Sequence, residues 1–292
     1  MIPPGIVHRR IDVGEVTLHV AELCTDPLAA RPGSGKLVVL LHGFPECWVT
    51  WRNQLPALAA AGYRVVAPDL RGYGASDKPA SLRAYGSLAL VRDIAGLIAA
   101  LGEERAHVVG HDWGGIIAWH LAMWHPERVG KLAILNAPHP HRMLQGLRTL
   151  RQLKKSWYLF FFQLPWLPEA RMRLGNFELL RRLFRFHPAR RSAYDEEDIE
   201  LLVSALAAEG AATAAINYYR AALRVRARPL RPIEKPVLII WGQLDKNLGP
   251  ELAQPDVAWV PRARVERIEG AGHFVQADAP ARVNQLLLDW LA

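Results

Sequence analysis

The chain has 292 residues, 51% hydrophobic and 22% charged, a balance that excludes disordered and fibrous classes and fits one α/β core carrying an insertion. Its formal charge of +8, from 36 basic and 28 acidic residues, admits anionic partners, yet no nucleic-acid motif accompanies it and no nucleic-acid partner is expected. The excess is mostly arginine between Arg142 and Arg231, interspersed with Asp195, Glu196, Glu197 and Asp198, which reads as a solvated surface.

From the start of the chain, Met1–Val20 carries Pro3, Pro4, Arg9, Arg10, Asp12 and Glu15 and no unbroken apolar region, so a signal peptide is not expected. Two alternating segments, Val7–Val13 and Val16–Leu23, flank Gly14 and predict a β-hairpin. Cys24 and Cys47 are too few for a disulfide framework and fit a reducing cytoplasm. The continuously apolar Leu37–Leu41 predicts a strand buried on both faces. A helix over Trp48–Ala60, a stop at Gly62 and a strand over Arg64–Ala67 follow. Next come a helix over Tyr85–Leu101 ending at Gly102, a strand over Ala106–Val109, a helix over Gly114–Trp124 halted before Pro126, and a strand over Leu132–Leu135. This alternation predicts a mostly parallel central sheet flanked by helices.

From His139 to Pro229 the alternation stops and helical patterns dominate. The most apolar run there, Trp157–Leu167, is broken by Gln163 and Pro165 and falls short of the roughly 18 residues of a membrane span, so no stable membrane insertion is expected. Strands return at Val237–Trp241 and Ala263–Ile268, before a closing helix over Ala279–Leu291. The expected organisation is a core formed by residues 1–138 and 230–292, with a helical cap (lid) of residues 139–229 inserted between two strands.

The stretch Gly110-His111-Asp112-Trp113-Gly114 lies between a predicted strand and a predicted helix. Its small–x–nucleophile–x–small pattern is the aspartate form of the nucleophile elbow of the α/β-hydrolase fold. An aspartate there can also simply cap the helix; the flanking glycines and the partners below favour the nucleophile. A carboxylate, already ionised at neutral pH, can displace a leaving group from an sp³ carbon and so become an ester. The histidine then serves to activate water. In this fold the order is nucleophile, acid, histidine. That order selects Asp245, beyond the penultimate strand, with Asp256 a weaker alternative, and His273 in Gly270-Ala271-Gly272-His273-Phe274. Oxyanion donors come from the loop after the first buried strand and from the residue after the nucleophile, which assigns the backbone N–H groups of Phe44 and Trp113. His42 and Pro45 read as loop architecture. With no H-E-x-x-H and no cysteine–histidine cluster, neither metal nor cofactor is expected.

Taken together, His42-Gly43-Phe44-Pro45-Glu46, Asp69-Leu70-Arg71-Gly72-Tyr73-Gly74-Ala75-Ser76-Asp77-Lys78-Pro79 and Gly110–Gly115 make the chain resemble the α/β-hydrolase domain of the soluble epoxide hydrolases over nearly its full length. The resemblance implies conversion of epoxides to vicinal diols by two lid tyrosines that hold the epoxide oxygen. Trp157-Tyr158-Leu159-Phe160-Phe161-Phe162-Gln163 is similar to the family's Y-x-x-x-F-Q segment and implies Tyr158. Ile216-Asn217-Tyr218-Tyr219-Arg220 is similar to its N-[WY]-Y-R motif and implies Tyr219, leaving Tyr218 for packing. The resemblance also implies a water-orienting role for Glu46 and an indole face of Trp113 turned to substrate. Trp166 departs from the family's F-Q-x-P-G pattern and puts the pocket's shape in question. A haloalkane or haloacetate dehalogenase shares the aspartate nucleophile, but many of those place an asparagine after His-Gly, where Phe44 stands. A catalytically idle scaffold is the third reading. The expected ligand is a small, lipophilic epoxide, and the expected role detoxification.

Overall fold

A computed structural model describes residues 2–292. Eight strands form one sheet: β1 (Val7–Asp12), β2 (Thr17–Leu23), β3 (Leu37–Leu41), β4 (Arg64–Pro68), β5 (Ala106–His111), β6 (Val129–Leu135), β7 (Val237–Gly242) and β8 (Ala263–Ile268). Their spatial order is β1-β2-β4-β3-β5-β6-β7-β8, antiparallel at β1–β2 and β2–β4 and parallel throughout the rest. Helices α1 (Gln54–Ala60), α2 (Ser87–Ala100) and α3 (Trp113–Trp124) belong to the first half of the chain. Six more lie between β6 and β7: α4 (Pro140–Gly146), α5 (Leu150–Lys155), α6 (Trp157–Phe161), α7 (Leu167–Phe186), α8 (Glu196–Ala207) and α9 (Ala211–Arg224). The short α10 (Val275–Asp278) and α11 (Pro280–Leu291) close the fold.

Every residue of β3 and β7 is buried, because helices cover both faces of the sheet. The alternation of side chains sorts the strands into two cores. Val39, Leu41, Val108 and Ile239 pack with α2 and α3 on one face, whereas Val38, Leu40, Val109 and Ile240 pack with α1 and α11 on the other. Each such side chain contributes about 1.5–3 kcal/mol when fully withdrawn from water.

The register aligns the strand ends that matter. Leu41 pairs with Gly110, His111 with Leu135, Leu135 with Ile240 and Gly242 with Ile268. The loops leaving β3, β5, β6, β7 and β8 therefore emerge side by side at the carboxyl edge of the sheet, where open α/β sheets bind ligands.

Three helix boundaries differ from expectation. The segment 48–60 splits into a 3₁₀ turn (Trp48–Trp51) and α1, because Pro56 has no N–H and its ring opposes the carbonyl four residues back. Gly86, in extended conformation, separates a 3₁₀ turn at Leu82–Tyr85 from α2. The closing helix is preceded by α10, which was not expected. Within α7, residues Leu174–Phe177 leave the helical region and kink it. Among the described residues no single helix is long and apolar enough to cross a membrane.

Candidate active site

Asp112 stands alone between the end of β5 and the start of α3, at φ 48° and ψ −118°. A non-glycine residue held there is strained, and the surrounding packing must hold it in place. A side chain at Gly114 would run into the Leu41 carbonyl, and one at Gly43 would collide with the Asp112 side chain, so both positions require glycine for close approach. The strain turns the carboxylate out over the carboxyl edge of the sheet, where it remains partly exposed.

Two groups meet it. The Phe44 N–H donates to Asp112 Oδ1 at 2.9 Å. His273 Nε2 lies 3.4 Å from Asp112 Oδ2, and His273 Nδ1–H donates to Asp245 Oδ2 at 2.8 Å. Trp113 opens α3, so its N–H has no partner within the helix. Asp245 Oδ1 accepts from the N–H groups of Asn247 and Leu248 at 2.8 and 2.9 Å, and its Oδ2 also accepts from Asn136 Nδ2 at 2.8 Å. Burial alone would push the Asp245 carboxyl up, but His273, Asn136 and the Leu248 N–H bring it below its ordinary value. Burial likewise opposes the His273 cation; Asp245 and Asp112 outweigh it and raise that imidazole well above its usual range.

The phenols of Tyr158, on α6, and Tyr219, on α9, line one cavity of about 340 Å³ with Asp112 and His273. Their rings stand 5.9 Å apart and perpendicular. Burial first, and then the charge of Asp112, pushes both hydroxyls above the ordinary phenol value, so they stay protonated and available as donors. The rest of the wall is largely apolar, including Phe44, Phe161, Phe162, Met172, Leu180 and Phe274.

Sequence reasoning missed what holds the two tyrosines together. Gln163 Nε2 donates to the carbonyls of Leu159 and Tyr219 at 3.1 and 3.0 Å. Arg220 donates to the carbonyls of Phe162 and Leu164 at 3.0 and 2.6 Å and pairs with buried Glu169 at 2.6 Å. Both residues sit inside the motifs that flagged the tyrosines; their presence there was the available signal. Asn136 and His111 were also missed. Asn136 had no signal beyond following a strand.

Glu46 is fully buried and does not line the cavity. His111 Nδ1 lies 2.7 Å from Glu46 Oε2, and its Nε2 lies 2.9 Å from the His273 carbonyl oxygen. Glu46 and His111 are thus joined one layer behind the catalytic histidine. Thr50 and Gln276 add donors to Glu46 at 2.5 and 3.0 Å. Burial raises the Glu46 carboxyl, but His111, Thr50 and the Gly43 N–H overcome it and hold the group at about 2, below its ordinary 4.5. Its stabilisation is thus fully present above pH 4.5 and fades as pH falls towards 2. Glu46→Gln should melt at a lower temperature than the parent at neutral pH, and the gap should close in acid. A gap unchanged between neutral pH and about pH 3 would refute the pairing.

The other sequence-derived candidates lie apart. Asp256 pairs with His141 at 2.9 Å and accepts from Gln145 at 3.0 Å; its partner is not His273. Tyr218 is buried and donates to the Arg71 carbonyl at 2.7 Å. The Trp113 indole packs edge-on against Tyr218 and Tyr219. Trp166 is exposed at the head of α7 and does not shape the cavity. His42 accepts from the Leu70 N–H at 3.0 Å, a structural contact. No cluster of three or more potential metal ligands exists among the described residues.

Chemically, such a site can attack an electrophilic carbon with a carboxylate, donate hydrogen bonds to a leaving oxygen, and deliver a base-activated water. Residues 36–280 match the model of the alpha/beta hydrolase fold family. The chain is 40% identical to AB hydrolase superfamily protein YfhM of Bacillus subtilis, over 98% of each chain. It is 37% identical to human Epoxide hydrolase 4, over 90% of this chain and 74% of that one. The crystal structure of Bacillus megaterium epoxide hydrolase in complex with an inhibitor superposes with a TM-score of 0.87 at 32% identity, covering 97% of this chain and 99% of the other.

Proposed function

The chain belongs to the epoxide hydrolases of the α/β-hydrolase superfamily, and from that premise we propose that it opens epoxides to vicinal diols through a covalent ester on Asp112. The carrying observation is the shared cavity: a carboxylate, an imidazole and two protonated phenols on one largely apolar wall. In the first half-reaction Tyr158 and Tyr219 donate to the epoxide oxygen while Asp112 attacks a ring carbon. The C–O bond breaks, and a phenol proton passes to the leaving oxygen. In the second half His273, oriented by Asp245, takes a proton from water, whose oxygen attacks the Asp112 carbonyl carbon. The N–H groups of Phe44 and Trp113 hold the oxyanion until it collapses. The ester C–O bond then breaks, the departing diol oxygen takes the proton of the tetrahedral hydroxyl, and Asp112 returns as a carboxylate. The His273 cation gives its proton back to the phenolate.

We read residues 139–229 as a cap that carries the phenols, and Glu46 as fixing the His273 loop through His111 rather than touching water. The apolar wall supports a lipophilic substrate. The free cysteines Cys24 and Cys47 fit a cytoplasmic enzyme, and a detoxifying role follows from the reactivity of epoxides. No cofactor enters the scheme.

One turnover of styrene oxide in ¹⁸O-water, followed by peptide mass spectrometry, tests the covalent route. The label should appear in Asp112 and not in the diol, because the diol takes its new oxygen from the carboxylate. Label in the diol instead would show that water attacks the epoxide directly.

A further inference from the structure

The segment from α5 to the kink of α7 exposes apolar side chains that an interior would normally claim. Leu150 is 76% exposed, Trp157 61% and Trp166 71%, with Phe160 and Leu164 exposed between them. Arg148, Arg151, Lys154, Arg171 and Arg173 are exposed in the same stretch. Its single acid between residues 140 and 174, Glu169, is buried against Arg220. Arg151 has Glu251 at 3.8 Å, while Arg148, Lys154 and Arg173 make no ion pair among the described residues. The acids that dilute the arginines in sequence lie elsewhere: Glu196 and Glu200 pair with Arg185 and Arg181, and Asp198 with Arg52.

Exposed tryptophan, phenylalanine and leucine interleaved with unpaired bases are the composition of a surface that lies on an anionic bilayer. Large apolar exposure concentrated in one stretch of chain marks an interaction site. We infer that this face docks peripherally on anionic lipid membranes. Charge decides against a second copy of the chain as the occupant, because a two-fold contact would set the same bases against each other. The patch also runs into the cavity, since Trp157 and Arg171 belong to both. If the proposed epoxide reading holds, a lipophilic substrate passes from hydrocarbon to Asp112 without crossing bulk water. Docking itself does not depend on what the cavity hydrolyses.

Flotation with phosphatidylcholine vesicles, with and without about one-third phosphatidylglycerol, tests the docking. The protein should float only with the anionic vesicles, and should be released at about 0.5 M NaCl. Arg151→Glu with Lys154→Glu should weaken binding by roughly tenfold or more, since each base near such a surface matters individually. Trp166→Ser should weaken it further. Both variants change exposed side chains and should keep the parent's melting temperature, which separates lost docking from lost fold. Failure to bind anionic vesicles at low salt, equal binding to neutral ones, or undiminished binding by the charge-reversed variant overturns the inference. So does a dimer that Trp166→Ser dissociates in the absence of any vesicle binding.

Discussion

Replacing both cavity phenols, Tyr158→Phe with Tyr219→Phe, should slow formation of the Asp112 ester by roughly 10³-fold or more, with little change in melting temperature. An epoxide oxygen leaves as a strongly basic alkoxide, and in a largely apolar cavity no bulk water stands ready to protonate it. Burial and the neighbouring carboxylate keep both phenols protonated across the working pH range, so they serve as donors and not as bases. Each single variant should retain more activity than the double, since one donor still reaches the oxygen. Rapid-quench measurement on styrene oxide reads the effect. A double variant within about tenfold of the parent would remove the clamp from the mechanism.

His273→Gln separates the two half-reactions. In the proposed scheme ring opening uses Asp112 and the phenols, so one equivalent of substrate should still be consumed, leaving an ester that intact-protein mass spectrometry detects. Steady-state kcat should fall by about 10³–10⁴-fold. Full turnover by this variant would exclude His273 as the base. A charge argument sets the order of events. In the resting site His273 faces two carboxylates and its pKa is raised, favouring the cation, which cannot take a proton from water. Esterification neutralises Asp112 and removes one of the causes of that elevation, so the imidazole becomes easier to deprotonate when a base is needed. Asp112→Asn mimics the neutral state and should lower the His273 pKa measured by NMR. An unchanged or higher value would refute this coupling. The ester-hydrolysis limb of the pH–rate profile should fall as pH drops through the lower, ester-state value, because protonation then removes the base.

Much of this was readable before any coordinates. Buried apolar runs such as Leu37–Leu41 and Val237–Trp241 identify parallel strands because both sheet faces are covered, and the order of Asp112, Asp245 and His273 selects three residues that the register brings together. What escaped reading was interaction that no local pattern encodes. Asn136 supports Asp245 from the end of a neighbouring strand, and His111 reaches Glu46 from 65 positions away in sequence. Which arginines keep an acidic partner is likewise decided in space. The acids of α8 pair with Arg181 and Arg185 of α7 and with Arg52, which leaves Glu169 as the single acid between residues 140 and 174.

The bonds from Gln163 and Arg220 tie the turn after α6 to α9 through main-chain carbonyls, so the two phenols belong to one rigid piece of the molecule. On the proposed mechanism, the two donors to the epoxide oxygen therefore keep their spacing through main-chain bonds that do not involve the phenols themselves.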